Sequence, residues 1–191
     1  MSDNEYHSND TMSQANQNRY HELLESIRRR HDPKSNTVLI VDDERGIRKF
    51  VGRGIRKSDP TLVVFEAANG KEALKKLEEI RKQYRRDPLF TILALNMPVM
   101  DGWQTIEALR EDYEKDGKAQ GIPVIVLSST SGEKGMLFKK SVHGGKAQYT
   151  PLVSVAKEVC ADPEKYDAVG EKGLNAWMNY FIRQHMIGHE G

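Results

Sequence analysis

Two hydrophobic periods alternate along the chain. Short, nearly continuous apolar runs occupy residues 37–41, 61–67, 89–95 and 123–127, each about the length of a strand. Such runs suit parallel strands that are covered on both faces. Between them the apolar residues recur at helical spacing: Ile47, Phe50, Val51 and Ile55, then Ala73, Leu74, Leu77 and Ile80, then residues 103–114. That spacing predicts amphipathic helices, each laying one stripe on a sheet. Ser58-Asp59-Pro60 closes the first helix and Asn69-Gly70 opens the second. The strict alternation predicts an α/β fold, a doubly wound parallel five-stranded sheet.

The two ends are less regular. Residues 131–142 predict a further helix, Gly144-Gly145 a turn, and residues 147–149 a short fifth strand. Beyond it, Leu152, Val153, Val155, Ala156 and Val159 suggest a helix that stops at Asp162-Pro163. A more strongly patterned helix carries Leu174, Trp177, Met178, Phe181, Ile182 and Met186. Residues 1–18 are polar with no apolar period, the signature of a disordered tail. Residues 19–35 read as a short helix and linker, with Arg28, Arg29 and Arg30 in the last turn, where the helix dipole favours them. The organisation expected is therefore a tail (1–18), a helix and linker (19–35), an α/β domain (36–152) and a C-terminal helical extension (153–191).

Composition narrows the class. A charged fraction of 30%, a hydrophobic fraction of 38% and a formal net charge of +1 describe a soluble chain without a nucleic-acid footprint. The single cysteine, Cys160, leaves no intramolecular disulfide. No apolar run has the length of a membrane span, and the first residues lack the order of a secretion signal. A cytoplasmic protein is expected, with no membrane and no nucleic acid among its partners. The six histidines are read as showing no paired metal spacing.

In a doubly wound sheet, ligands bind beyond the C-terminal strand ends, beside the point where the strand order reverses. This gathers Asp42, Asp43, Ala94 and Ser128. Two acidic residues at a strand end have two readings, a helix cap or a site for a hard cation such as Mg²⁺.

Four runs occur in a fixed order: Val38-Leu39-Ile40-Val41-Asp42-Asp43-Glu44, Ala67-Ala68-Asn69-Gly70-Lys71-Glu72-Ala73-Leu74, Asn96-Met97-Pro98-Val99-Met100-Asp101-Gly102 and Pro123-Val124-Ile125-Val126-Leu127-Ser128. Over roughly residues 36–152 the chain resembles the receiver domains of response regulators. The resemblance implies a flavodoxin-like receiver fold and a Mg²⁺ site made by Asp42, Asp43, the phosphoacceptor carboxylate and the backbone carbonyl of Asn96. It implies a hydroxyl for the phosphoryl group at Ser128. It also implies an aspartate nucleophile four residues before Pro98 and a lysine just before a proline after the fifth strand. Those last two positions fall on Ala94 and Thr150. Alanine offers no oxygen for attack or for a metal, and threonine no ammonium to pair with phosphate.

The function expected is that of a signalling protein of a two-component or phosphorelay pathway, not an enzyme. It is expected to be phosphorylation-incompetent and to act by binding a sensor histidine kinase, a phosphotransferase or another signalling protein. The alternative is a phosphoryl-accepting single-domain regulator whose aspartate has been replaced by Ala94. A Mg²⁺-dependent hydrolase using Asp42 is disfavoured by the Met-Pro-Val-Met-Asp-Gly run. With both positions lost, restoring the aspartate alone is expected to give slow labelling or none.

Overall fold

Strands β1 (Thr37–Val41) and β3 (Phe90–Ala94) are buried at every position, as their continuous apolar sequences require. The computed structural model describes residues 32–117, 122–128, 153–156 and 174–189. Among them are also β2 (Val63–Ala67), β4 (Val124–Ser128) and β5 (Val153–Ala156), with helices α1 (Arg45–Ser58), α2 (Gly70–Tyr84), α3 (Gly102–Lys115) and α4 (Leu174–His189). All strand pairs are parallel, in the order β2-β1-β3-β4-β5.

Burial follows the two-residue period of the strands. On one face Val38, Ile40, Phe90, Ile92, Ile125 and Leu127 meet Val51 and Ile55 of α1 and Met178, Phe181 and Ile182 of α4. On the other face Leu39, Val41, Leu93, Val124 and Val126 meet Ala73, Leu77 and Ile80 of α2 and Ile106, Leu109 and Tyr113 of α3. Each such Val, Leu, Ile, Phe or Met side chain contributes about 1.5–3 kcal/mol on leaving water. The sequence left open which C-terminal segment covers the sheet. It is α4, whose Phe181 stacks on Phe90 with ring centroids 5.3 Å apart.

The structure corrects the sequence reading at β5. Residues 153–156, expected to be helical, are a strand whose Val153 lies opposite Ile125 and whose Ala156 lies opposite Ser128. The β-branched Val153 and Val155 suit a pleated edge better than a helix. The helical spacing of 152–159 misled because four residues satisfy either period. The strand expected at 147–149, the helix at 131–142 and the N-terminal tail and helix lie outside the described residues.

An ion-pair knot ties three elements together at the N-terminal pole of the sheet. The Arg81 guanidinium at the end of α2 donates to Asp87 and Asp112, each at 2.6 Å, and lies over the Tyr113 ring at 5.3 Å. The Tyr113 hydroxyl donates to the other oxygen of Asp87 at 3.0 Å. Burial alone would lower the Arg81 pKa, but the hydrogen bonds to Asp87 and Asp112 raise it. Burial, with the Asp87 charge beside it, pushes the Tyr113 phenol up. Both groups therefore stay protonated across the ordinary pH range.

Arg81→Ala leaves Asp87 part-buried without its cation. It is expected to cost roughly 2 kcal/mol in urea-induced unfolding. Removal of the exposed Lys76–Glu79 pair should cost under about 0.5 kcal/mol. Equal effects would show that the knot adds nothing beyond a surface ion pair.

Candidate functional site at the C-terminal strand ends

The chain passes from β1 out to β2 and returns across β1 to β3, so the strand order reverses between β1 and β3. A crevice must open there, because the two connections leave in opposite directions. The register pairs Val41 with Leu93, which sets the next residues, Asp42 and Ala94, level at the mouth. Ala94 lies opposite Leu127, one residue before Ser128. The structure thus brings Asp42, Asp43, Ala94 and the Ser128 backbone to one edge.

Asp42 is fully buried, whereas Asp43 and Glu44 are exposed. Each of the three offers a carboxylate oxygen, and these oxygens lie within 4.8 Å of one another. One Asp42 oxygen accepts from the Glu44 backbone N–H at 2.9 Å, at the entry to α1. The N-cap of α1 is Glu44, with no side-chain cap hydrogen bond, so the cap reading of the acidic pair is not met, and the cluster is an oxygen-only donor set of the kind hard cations take. Ala94 is buried and adds no oxygen. Asn96 follows in an exposed position.

Two participants were missed from sequence. Glu44 belongs to the acidic cluster, and its place directly after Asp42-Asp43 was the available signal. Arg48, one turn into α1, donates to the Asp42 carbonyl at 2.7 Å and the Asp43 carbonyl at 3.3 Å. It also pairs with Glu66 of β2 at 3.3 Å. Its planar fork suits several acceptors at once, and it holds the acidic turn against the sheet edge.

The loop after Ala94 is fixed by backbone geometry. Asp101 caps α3 in a reciprocal box: its carboxylate accepts from the Gln104 N–H at 2.8 Å, and the Gln104 side chain accepts from the Asp101 N–H at 3.0 Å. A Cβ on Gly102 would lie 2.3 Å from the Ala94 carbonyl oxygen, so only glycine fits that approach. The Gly70 N–H donates to the Met100 carbonyl at 2.9 Å, joining this loop to the start of α2. Val99 adopts a left-handed backbone (φ 70°) with its side chain largely in water. Trp103 packs part-buried against the core on this side of the sheet.

Thr150 lies outside the described residues. It also precedes β5, the strand it was expected to follow, because β5 begins at Val153.

A doubly wound parallel sheet with an acidic cluster at its switch point defines the class. The chain matches the model of the response regulator receiver domain over residues 38–144, more than half its length. It belongs to that family. Chemotaxis protein CheY of Listeria monocytogenes is 35% identical over 109 residues, 57% of this chain and 80% of that protein. A protein-glutamate methylesterase/protein-glutamine glutaminase of Syntrophomonas wolfei is 37% identical over 98 residues, 51% of this chain. The matched region spans only 24% of that enzyme. Among solved structures, the bacteriophytochrome response regulator AtBRR aligns with a TM-score of 0.51 at 21% identity, covering 71% of this chain and 91% of that one. This likeness shows the fold. Among the described residues no helix is long and apolar enough to cross a membrane.

Two substitutions test the loop. Val99→Asn relieves a β-branched residue in a left-handed conformation and should raise stability by about 0.5–1 kcal/mol. Gly102→Ala forces the Ala94 carbonyl aside and should cost roughly 2 kcal/mol or more. Urea unfolding reads both, and a neutral Gly102→Ala would contradict the close approach.

Proposed function

We propose that this chain is a receiver that takes up no phosphate at its third strand and works by binding a signalling partner. The observation that carries the reading is Ala94. It stands at the strand end level with Asp42, with the loop around it intact and no nucleophile present. The partner class that suits a receiver is a sensor histidine kinase, a phosphotransferase or another regulator. We read the chain as having no catalytic activity of its own.

Mg²⁺ fits the oxygen donors of Asp42, Asp43 and Glu44, with the Asn96 carbonyl as a further candidate. When bound, it would neutralise the cluster. Without a carboxylate at Ala94 the site should hold Mg²⁺ weakly, on the order of the millimolar affinities of the loosest carboxylate sites. Ser128 is the proposed hydroxyl beside the mouth.

For the ammonium, Lys157 is a better candidate than Thr150. It is the residue that follows Ala156, and Ala156 pairs with Ser128 at the C-terminal end of β5. On this reading one departure separates the site from a phosphate-accepting one, rather than two.

The unmodified chain, incubated with acetyl phosphate and Mg²⁺, should show no added phosphate by intact mass. A stable adduct mapping to Asp42, Asp43 or Ser128 would sink the proposal.

The lysine assignment has its own test. Ala94→Asp should accept phosphate, Ala94→Asp with Lys157→Ala should do so at least about tenfold more slowly, and Ala94→Asp with Thr150→Lys should be no faster than Ala94→Asp. A gain from Thr150→Lys, with no loss from Lys157→Ala, would return the role to position 150.

A further inference from the structure

At the opposite pole of the sheet, far from the acidic cluster, a cavity of about 590 Å³ is bordered by Asp59, His185, His189, Lys34, Tyr84 and Arg86. His185, on the last turns of α4, is 3% exposed. Its Nδ1 is 2.9 Å from the Pro33 carbonyl oxygen. A carbonyl only accepts, so Nδ1 carries a proton. Nε2 faces Oδ2 of Asp59, the C-cap of α1, across 3.8 Å. The other Asp59 oxygen is already engaged, accepting from the Thr61 N–H at 2.9 Å and the Thr61 hydroxyl at 2.6 Å. A buried imidazole nitrogen and a buried carboxylate oxygen thus face each other at a distance too long for a hydrogen bond.

Tetrahedral Zn²⁺ ligands lie about 3.4 Å apart, so a small closing movement of this pair would admit a bridging cation. Zn²⁺ lies about 2.0–2.1 Å from an imidazole nitrogen and about 2.0–2.2 Å from a carboxylate oxygen. A ligand histidine also characteristically gives its second ring N–H to a backbone carbonyl, which fixes the tautomer. His185 has that hydrogen bond in place. His189 supplies a third donor. It stands four residues on, one helical turn away, and its ring meets that of His185 edge-on with centroids 4.5 Å apart. Two histidines so spaced on one helix face are a chelating pair. The sequence reading that found no paired histidine spacing overlooked it. His189 is exposed; its ring nitrogens do not converge with Asp59 and His185 as it stands, so a side-chain rotation would have to bring one in, and the cavity has room for water as a fourth ligand. Arg86, which borders the cavity with Lys34, is paired with Asp32.

We propose that Asp59, His185 and His189 form a site for a borderline divalent transition metal such as Zn²⁺. The metal would pin the last turn of α4 to the end of α1 and to the segment that enters β1. This site is independent of the acidic cluster at the other pole, which takes hard cations.

Chelator-treated full-length chain titrated with ZnCl₂ by calorimetry, with the melting temperature followed in parallel, tests it. Zn²⁺ should bind and raise the melting temperature, in the presence of excess Mg²⁺ as well. His189→Ala should weaken binding at least about tenfold while leaving the metal-free melting temperature unchanged, because its side chain is exposed. Asp59→Asn should weaken it likewise, and Asp43→Ala should have no effect. Absence of Zn²⁺ binding, or binding that His189→Ala leaves unaltered, would overturn the site and leave His185 and Asp59 as a proton-bridged pair.

Discussion

Burial of β1 and β3 on both faces is the constraint from which the rest follows. No side chain inside either strand reaches water, so polar chemistry can begin only where the chain leaves the sheet. The reversal of strand order between these two strands decides which end that is. Asp42 is the first residue past this limit and is itself still buried. A carboxylate in such a position needs donors or a cation, and the Glu44 N–H supplies one. The acidic turn, the Arg48 brace behind it and the α1 helix that starts there all depend on that exit.

The loop beyond β3 stands on other supports. Its shape comes from a glycine against a carbonyl, a reciprocal cap at Asp101 and Gln104, and the hydrogen bond from Gly70 to Met100. None of these uses the side chain at position 94. The frame around the mouth is therefore separable from the chemistry of one residue in it. That explains how a chain can belong to the receiver family and carry alanine at the strand end.

Much of this was legible in the sequence. Continuous apolar runs marked β1 and β3, helical spacing marked α1 to α3, and the acidic pair announced the edge of the site. The misreadings have physical causes. Val153 to Ala156 is too short a stretch for its period to choose between strand and helix, and pairing with β4 makes the choice. The connection from Ser128 to Val153 sets where β5 starts, and no local pattern encodes its length. The contacts of Arg48 and the approach of His185 to Asp59 join separate elements, invisible until the helices are docked. His185 and His189 were legible as a pair, since a spacing of four is a local property of any helix.

The buried alanine at the mouth has an evolutionary side. The glycine, the cap and the brace around the mouth are all in place. Asp42 is buried beside that position, so a second carboxylate there would add like-charge repulsion in a poorly solvated spot. Alanine spares the fold that burden. Selection on stability alone would keep it.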